Sequence, residues 1–108
     1  MKKIFALLLT CLTLFAAAAM AENTPTEIRL DAGLVHVYDF GENKLHAYVA
    51  EDALGDTCYA VESPEGIVMI ESTAFAANNA AWKAYVDGLG KPVAGKLMAY
   101  HPNGSDAY

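Results

Sequence analysis

The run Ile67-Val68-Met69-Ile70 limits the possible folds of this chain more than any other stretch. Four consecutive apolar residues without alternation are expected where both faces of a strand are covered. Ser63-Pro64-Glu65-Gly66 precedes it with the make-up of a type I turn: Ser at the first position, Pro where φ is already set, Gly at the fourth. Glu71, Ser72 and Thr73 follow it. The stretch therefore reads as a central strand of a layered α/β fold, entered by a tight turn and ending in a polar rim. In open α/β sheets that end is where ligands and chemistry collect.

Residues 1–21 have to be set aside first. Lys2 and Lys3 precede an apolar segment from Ile4 to Phe15, and Ala19-Met20-Ala21 supplies a small-x-small cleavage pattern before Glu22. This is the layout of a secretory signal peptide, too short in its apolar part for a membrane span, so a periplasmic or secreted product without a stable span is expected. Thr10 before Cys11 is a poor context for a lipidated cysteine. Residues 22–108 then form one small domain or part of one. With Lys2 and Lys3 gone, 5 basic residues stand against 13 acidic ones, a net charge of −8. That balance provides no electrostatic footprint for DNA, RNA or an anionic lipid surface. Cys58 is the single cysteine after residue 21, so the core is expected to hold without an intrachain disulfide.

Along the chain, Glu22 to Asp31 reads as a polar leader. Leu34–Phe40 is dense in β-branched and aromatic residues and reads as the first strand. Gly41-Glu42-Asn43 supplies the turn, and Lys44–Ala50 alternates as the second strand of an antiparallel hairpin. With that three-residue loop, His36 faces Tyr48 and His46 faces Tyr38, so the two histidines lie diagonal to each other as half-exposed strand residues. Thr57–Glu62 follows as a third strand, with Cys58 in the core, and the Pro64 turn joins it to the buried fourth. After Thr73 the period changes. Trp82, Tyr85, Val86 and Leu89 have the spacing of one helical stripe, and Gly90-Lys91-Pro92 marks the stop, while Thr73, Asn78 and Asn79 each qualify as the cap. Trp82 and Tyr85 are core anchors on this stripe. Val93–Tyr100 reads as a fifth strand, parallel to the fourth across the helical crossover. The expected class is α/β (α+β), a β-meander leading into a β-α-β crossover.

In this order the parts carry a resemblance. They are an N-terminal hairpin, Asp56-Thr57-Cys58-Tyr59-Ala60-Val61, then Glu65-Gly66-Ile67-Val68-Met69-Ile70-Glu71-Ser72-Thr73, then a helix leading to Lys91-Pro92-Val93 and a strand ending at His101. Together they resemble the N-terminal half of an αββα metallo-β-lactamase-fold hydrolase. The resemblance implies hydrolysis of an ester, amide or thioester in a small-molecule substrate by metal-activated water, with zinc as the cofactor. In that family the strand end carries H-x-H-x-D-H. Matched without gaps, His101 takes the first His, Asn103 the second, Ser105 the Asp and Asp106 the last His; with one residue inserted, Asp106 takes the Asp position and Ala107 the last His. Either way His101 and Asp106 are the metal-ligand candidates, and Asp106 the catalytic one. The family's later ligands fall beyond Tyr108.

Each of these residues also has a simpler use. His101 before Pro102-Asn103-Gly104-Ser105 suits a solvated turn, and Asp106 is common in such turns. Glu71 is either a carboxylate orienting the site from behind the ligands or a strand-end charge. The alternative function is a non-catalytic periplasmic binding or interaction module on the same fold. Half a sandwich also leaves sheet faces and edges uncovered, from which self-association is expected.

Overall fold

The computed structural model describes Lys3 and residues 23–100. The segment read as a signal peptide, other than Lys3, and His101, Asn103, Ser105, Asp106 and Ala107 lie outside the described residues. The described chain is a mixed α+β fold of six strands and one helix: β1 (Thr26–Leu30), β2 (Gly33–Phe40), β3 (Asn43–Ala50), β4 (Thr57–Glu62), β5 (Ile67–Ile70), α1 (Ala76–Gly88) and β6 (Val93–Leu97). All six strands form one sheet in sequence order. The first four pairings are antiparallel, and β6 lies parallel to β5 across the helical crossover, as the strand-helix-strand order requires.

Three expectations change. Thr26–Leu30, read as leader, is an edge strand paired with β2 from Thr26↔Val37 to Leu30↔Gly33. Its alternation of Ile28 and Leu30 with Glu27 and Arg29 is a period-2 signal that its charged residues obscure. The β2–β3 turn holds two residues rather than three. Gly41 sits at φ 85 and Glu42 has negative φ, as in a type II′ turn, and the Asp39 carboxylate accepts the Gly41 N–H at 2.9 Å. The register therefore moves by one, to Tyr38↔Leu45, His36↔Ala47 and Val37↔His46. Residues directly opposite share a face, so His36 and His46 point to opposite sides of the sheet rather than lying diagonal on one. The last strand also stops at Leu97, short of Tyr100.

Strand alternation and α1 place the core. One face carries Val35, Tyr48, Cys58, Ala60, Ile67 and Met69, all buried, and α1 adds Trp82 and Val86, with Tyr85 and Leu89 packed at the margin. Trp82 is fully buried and stacks between two tyrosines, Tyr48 at 5.4 Å and Tyr85 at 5.6 Å between ring centroids. The expected helical stripe and the core position of Cys58 are therefore as read. None of the candidate caps holds the helix start: the N-cap is Phe75, without a side-chain bond, and Asn78 and Asn79 lie buried in the first turn. The stop is at Gly90, whose φ of 72 suits a residue without Cβ and whose N–H donates to the Asp87 carbonyl.

On the other face of the sheet no described element packs. The same alternation that buries Ile67 and Met69 turns Val68 and Ile70 outward, where both are half-buried. The unbroken apolar run thus marks a strand with neighbours on both sides, β4 and β6, and described cover on one face only.

Candidate functional site

The C-terminal end of β5 was the expected site, and the chain does something unusual there. Glu71 adopts φ 64, the one non-glycine among the described residues with positive φ. Residues other than Gly, Asn and Asp pay for this conformation in steric strain, which persists only where surrounding contacts hold it. Here the contacts are specific. The Glu71 N–H donates to the Leu97 carbonyl at 2.8 Å, the last rung between β5 and the end of β6. Its carboxylate turns to the same segment: Oε1 accepts the Ala99 N–H at 3.0 Å and Oε2 the Tyr100 N–H at 2.6 Å. Both oxygens are thus used by consecutive backbone donors, the charge-assisted arrangement that fixes a loop most firmly.

Ser72 and Thr73, the rest of the expected rim, are each 1 % exposed and so are enclosed rather than open to solvent. Thr73 is tied to α1 through Asn79: the Thr73 N–H and hydroxyl both donate to Asn79 Oδ1, at 2.8 and 2.9 Å, and Asn79 Nδ2 donates to the Thr73 carbonyl at 3.0 Å. The Ala74 N–H donates to the Asp56 carboxylate at 2.9 Å, which ties this corner to the loop before β4. Asn78 makes a matching anchor on the next element, donating to the Ala32 carbonyl at 2.8 Å beside the Tyr48 hydroxyl, which donates to the same carbonyl at 3.0 Å. Burial raises the Tyr48 pKa above its ordinary value. The asparagines that resemble caps in the sequence are the pegs by which the helix start is held to the sheet.

A second polar constellation was not anticipated. His46, expected half-exposed, is 2 % exposed on the helix-covered face. Its Nε2 lies 2.6 Å from Glu62 Oε2 and its Nδ1 2.7 Å from the Tyr85 hydroxyl. Glu62 Oε1 is 2.8 Å from Lys91 Nζ, which also donates to the Ser63 carbonyl at 3.0 Å. An ionised Glu62 only accepts, so Nε2 carries a proton, and in the neutral ring Nδ1 accepts the Tyr85 hydroxyl hydrogen. The hydrogen bond from Lys91 and then the one from His46 hold the Glu62 carboxyl below its ordinary pKa against the opposing effect of burial. Burial, followed by the Glu62 charge, pushes Tyr85 up. The relay Tyr85–His46–Glu62–Lys91 joins α1, β3, β4 and the start of the β6 approach. Every imidazole nitrogen is engaged and the ring is enclosed, so its chemistry is that of a structural tie. His46 at a strand position of a helix-facing stripe, with Glu62 two positions beyond its partner Ala60, gives a signal once the register is known. His36 keeps its half-exposed place, 3.7 Å from Glu27.

Among the described residues no three His, Cys, Asp or Glu side chains converge as a metal set. Glu71 has its oxygens on backbone donors, and His101 and Asp106 lie outside the described residues. No family model, characterised protein or solved structure matches the chain.

Proposed function

We propose that this is an exported domain resembling the N-terminal portion of a metallo-β-lactamase-fold hydrolase, in which β5 and β6 form the scaffold of a strand-end site. The observation that carries this is the Glu71 clamp. A strained residue at the end of β5 uses its main chain and both carboxylate oxygens to fix Leu97, Ala99 and Tyr100. The chain is thereby held up to the residue before His101, the first ligand candidate. Such investment in a loop suits a segment whose position matters to chemistry. Glu71 acts here through the backbone and is a positioning residue; His101 and Asp106 are the groups proposed to meet a metal or substrate, with Asp106 as the catalytic carboxylate.

His101 and Asp106 supply two donors, whereas zinc takes three or four protein ligands. The donor set does not complete a zinc site on its own. The activity class that the resemblance implies is hydrolysis of an ester, amide or thioester. A non-catalytic binding or interaction module on the same fold is the second reading, favoured by Asn103 and Ser105 standing where, matched without gaps, the family motif has His and Asp.

The test is metal content and chelator response of the exported protein. Weak zinc binding, lost on chelation and weakened further in His101→Ala, is expected. A metal-free protein whose melting is indifferent to chelator would sink the metallohydrolase reading and leave the binding module.

A further inference from the structure

A hollow of about 150 Å³ opens between α1 and β6, lined by Met69, Lys83, Val86, Asp87, Val93 and Lys96. Its floor is apolar: Met69 is 2 % exposed, Val86 1 % and Val93 37 %. Its rim is charged. Lys96 lies opposite Met69 in the β5–β6 register, so it shares the helix-covered face of the sheet. An apolar side chain at that position would close the seam between α1 and the edge strand, whereas a lysine lays its stem along the seam and keeps its head in water. Lys83 comes from the helix side, where the Asp87 carboxylate holds its ammonium at 2.6 Å. An ammonium has three donors, and this pair uses one. The charge count singles the hollow out. Of the 5 basic residues after residue 21, 2 line it, against one of the 13 acidic residues, so the lining carries one net positive charge on an acidic chain. A carboxylate is drawn to this spot and opposed by the overall charge elsewhere.

We propose that this hollow binds a small aromatic monocarboxylate, with the ring on Met69, Val86 and Val93 and the carboxylate between the Lys83 and Lys96 ammoniums. Three features select this ligand. One net positive charge matches a monoanion, while a dianion would bring its second charge up against Asp87. The volume is that of an apolar cavity able to hold benzene, about 150 Å³, so a six-membered ring fills the floor and leaves its carboxylate at the charged rim. The Met69 thioether is a favourable neighbour for the edge of such a ring. The inference is independent of the hydrolase reading, since it does not involve Glu71, His101 or Asp106.

Titration of the isotope-labelled protein with benzoate at low ionic strength, followed by amide NMR shifts, tests it. Saturable shifts are expected at Val86, Asp87, Val93 and Lys96, with a Kd on the order of 1 mM for so open a site. Benzyl alcohol, which keeps the ring, and acetate, which keeps the charge, are each expected to bind about tenfold more weakly. The rim charges predict a signed series. Asp87→Asn tightens benzoate several-fold, Lys96→Ala weakens it several-fold, and Lys83→Ala, which turns an unpaired Asp87 toward the ligand, weakens it about tenfold. Arg29→Ala removes the same charge at the opposite edge of the sheet and leaves binding unchanged. The absence of saturable shifts up to about 20 mM benzoate, as where Lys96 only guards an edge strand against pairing, overturns the proposal. So does binding that benzyl alcohol matches, that the Asp87 and Lys83 variants leave unchanged, or that Arg29→Ala weakens as much as Lys96→Ala.

Discussion

Glu62 ends β4 and Glu71 directly follows β5, each accepts two charge-assisted hydrogen bonds, and they serve opposite ends of the architecture. Glu62 is buried and is held by side chains, His46 and Lys91, that come from other elements. Glu71 is held at the margin by its own strained backbone and gives its oxygens to main-chain donors of one neighbouring segment. The first welds helix to sheet; the second sets the course of a loop. A carboxylate at a strand end thus takes its role from what converges on it. Removing either residue should therefore fail differently.

The largest difference is expected from Glu62→Ala. Breaking a buried, hydrogen-bonded charge pair by deleting one partner costs about 3–5 kcal/mol, which chemical denaturation would read as a large fall in the unfolding midpoint. If the loss is within the range of a surface substitution, the relay is not the tie described here. The relay also sets a pH dependence. The folded pKa of Glu62 is depressed below its ordinary value of 4.5. Its contribution is therefore complete above that value and is lost as pH falls through the lower folded pKa. Thermal melts should show an acid limb beginning near pH 4.5 that Glu62→Gln flattens; a limb of equal size in the variant would assign it to other carboxylates.

Glu71→Ala should cost less globally, on the order of 1–2 kcal/mol from the lost charge-assisted bonds, and act locally. Amide hydrogen exchange is expected to quicken at Ala99 and Tyr100 and stay unchanged at Met69 and Ala60. Exchange that quickens evenly across the sheet would place Glu71 in the same class as Glu62. Smallest of all is Lys83→Ala. Its exposed ion pair with Asp87, one helical turn away, is expected to contribute about 0.3–0.5 kcal/mol. A larger loss would show that the pair helps seat α1 beside Met69 and Val93, with which it lines a shallow hollow.

Much of this fold was legible in the residues. The alternation of Lys44–Ala50, the 3.6-residue stripe through Trp82 and Val86 and the stop at Gly90 each reflect a local period or a backbone preference, which sequence displays directly. What escaped depended on pairing. One residue in the β2–β3 turn decides whether His36 and His46 share a face, and both the two- and three-residue loops begin with the same Gly41. The relay could not be seen before that register was fixed, because His46, Glu62, Tyr85 and Lys91 come from two strands, the helix and the approach to β6. At the candidate site the strand-end position of Glu71 was readable from the apolar run before it. Its left-handed backbone was not, since glutamate has no preference for that region and adopts it only through contacts with residues 97–100.

The stack of Tyr48, Trp82 and Tyr85 gives the protein a built-in optical gauge. Trp82 is the one tryptophan in the chain, and its indole N–H has no acceptor among the described residues. Emission from a ring so enclosed should be strongly blue-shifted, and its aromatic neighbours should give a pronounced near-ultraviolet dichroism. Both signals arise where α1 meets the sheet. Anything that lifts the helix by a few ångströms, while leaving every strand paired, would be seen in the light before it was seen in the secondary structure.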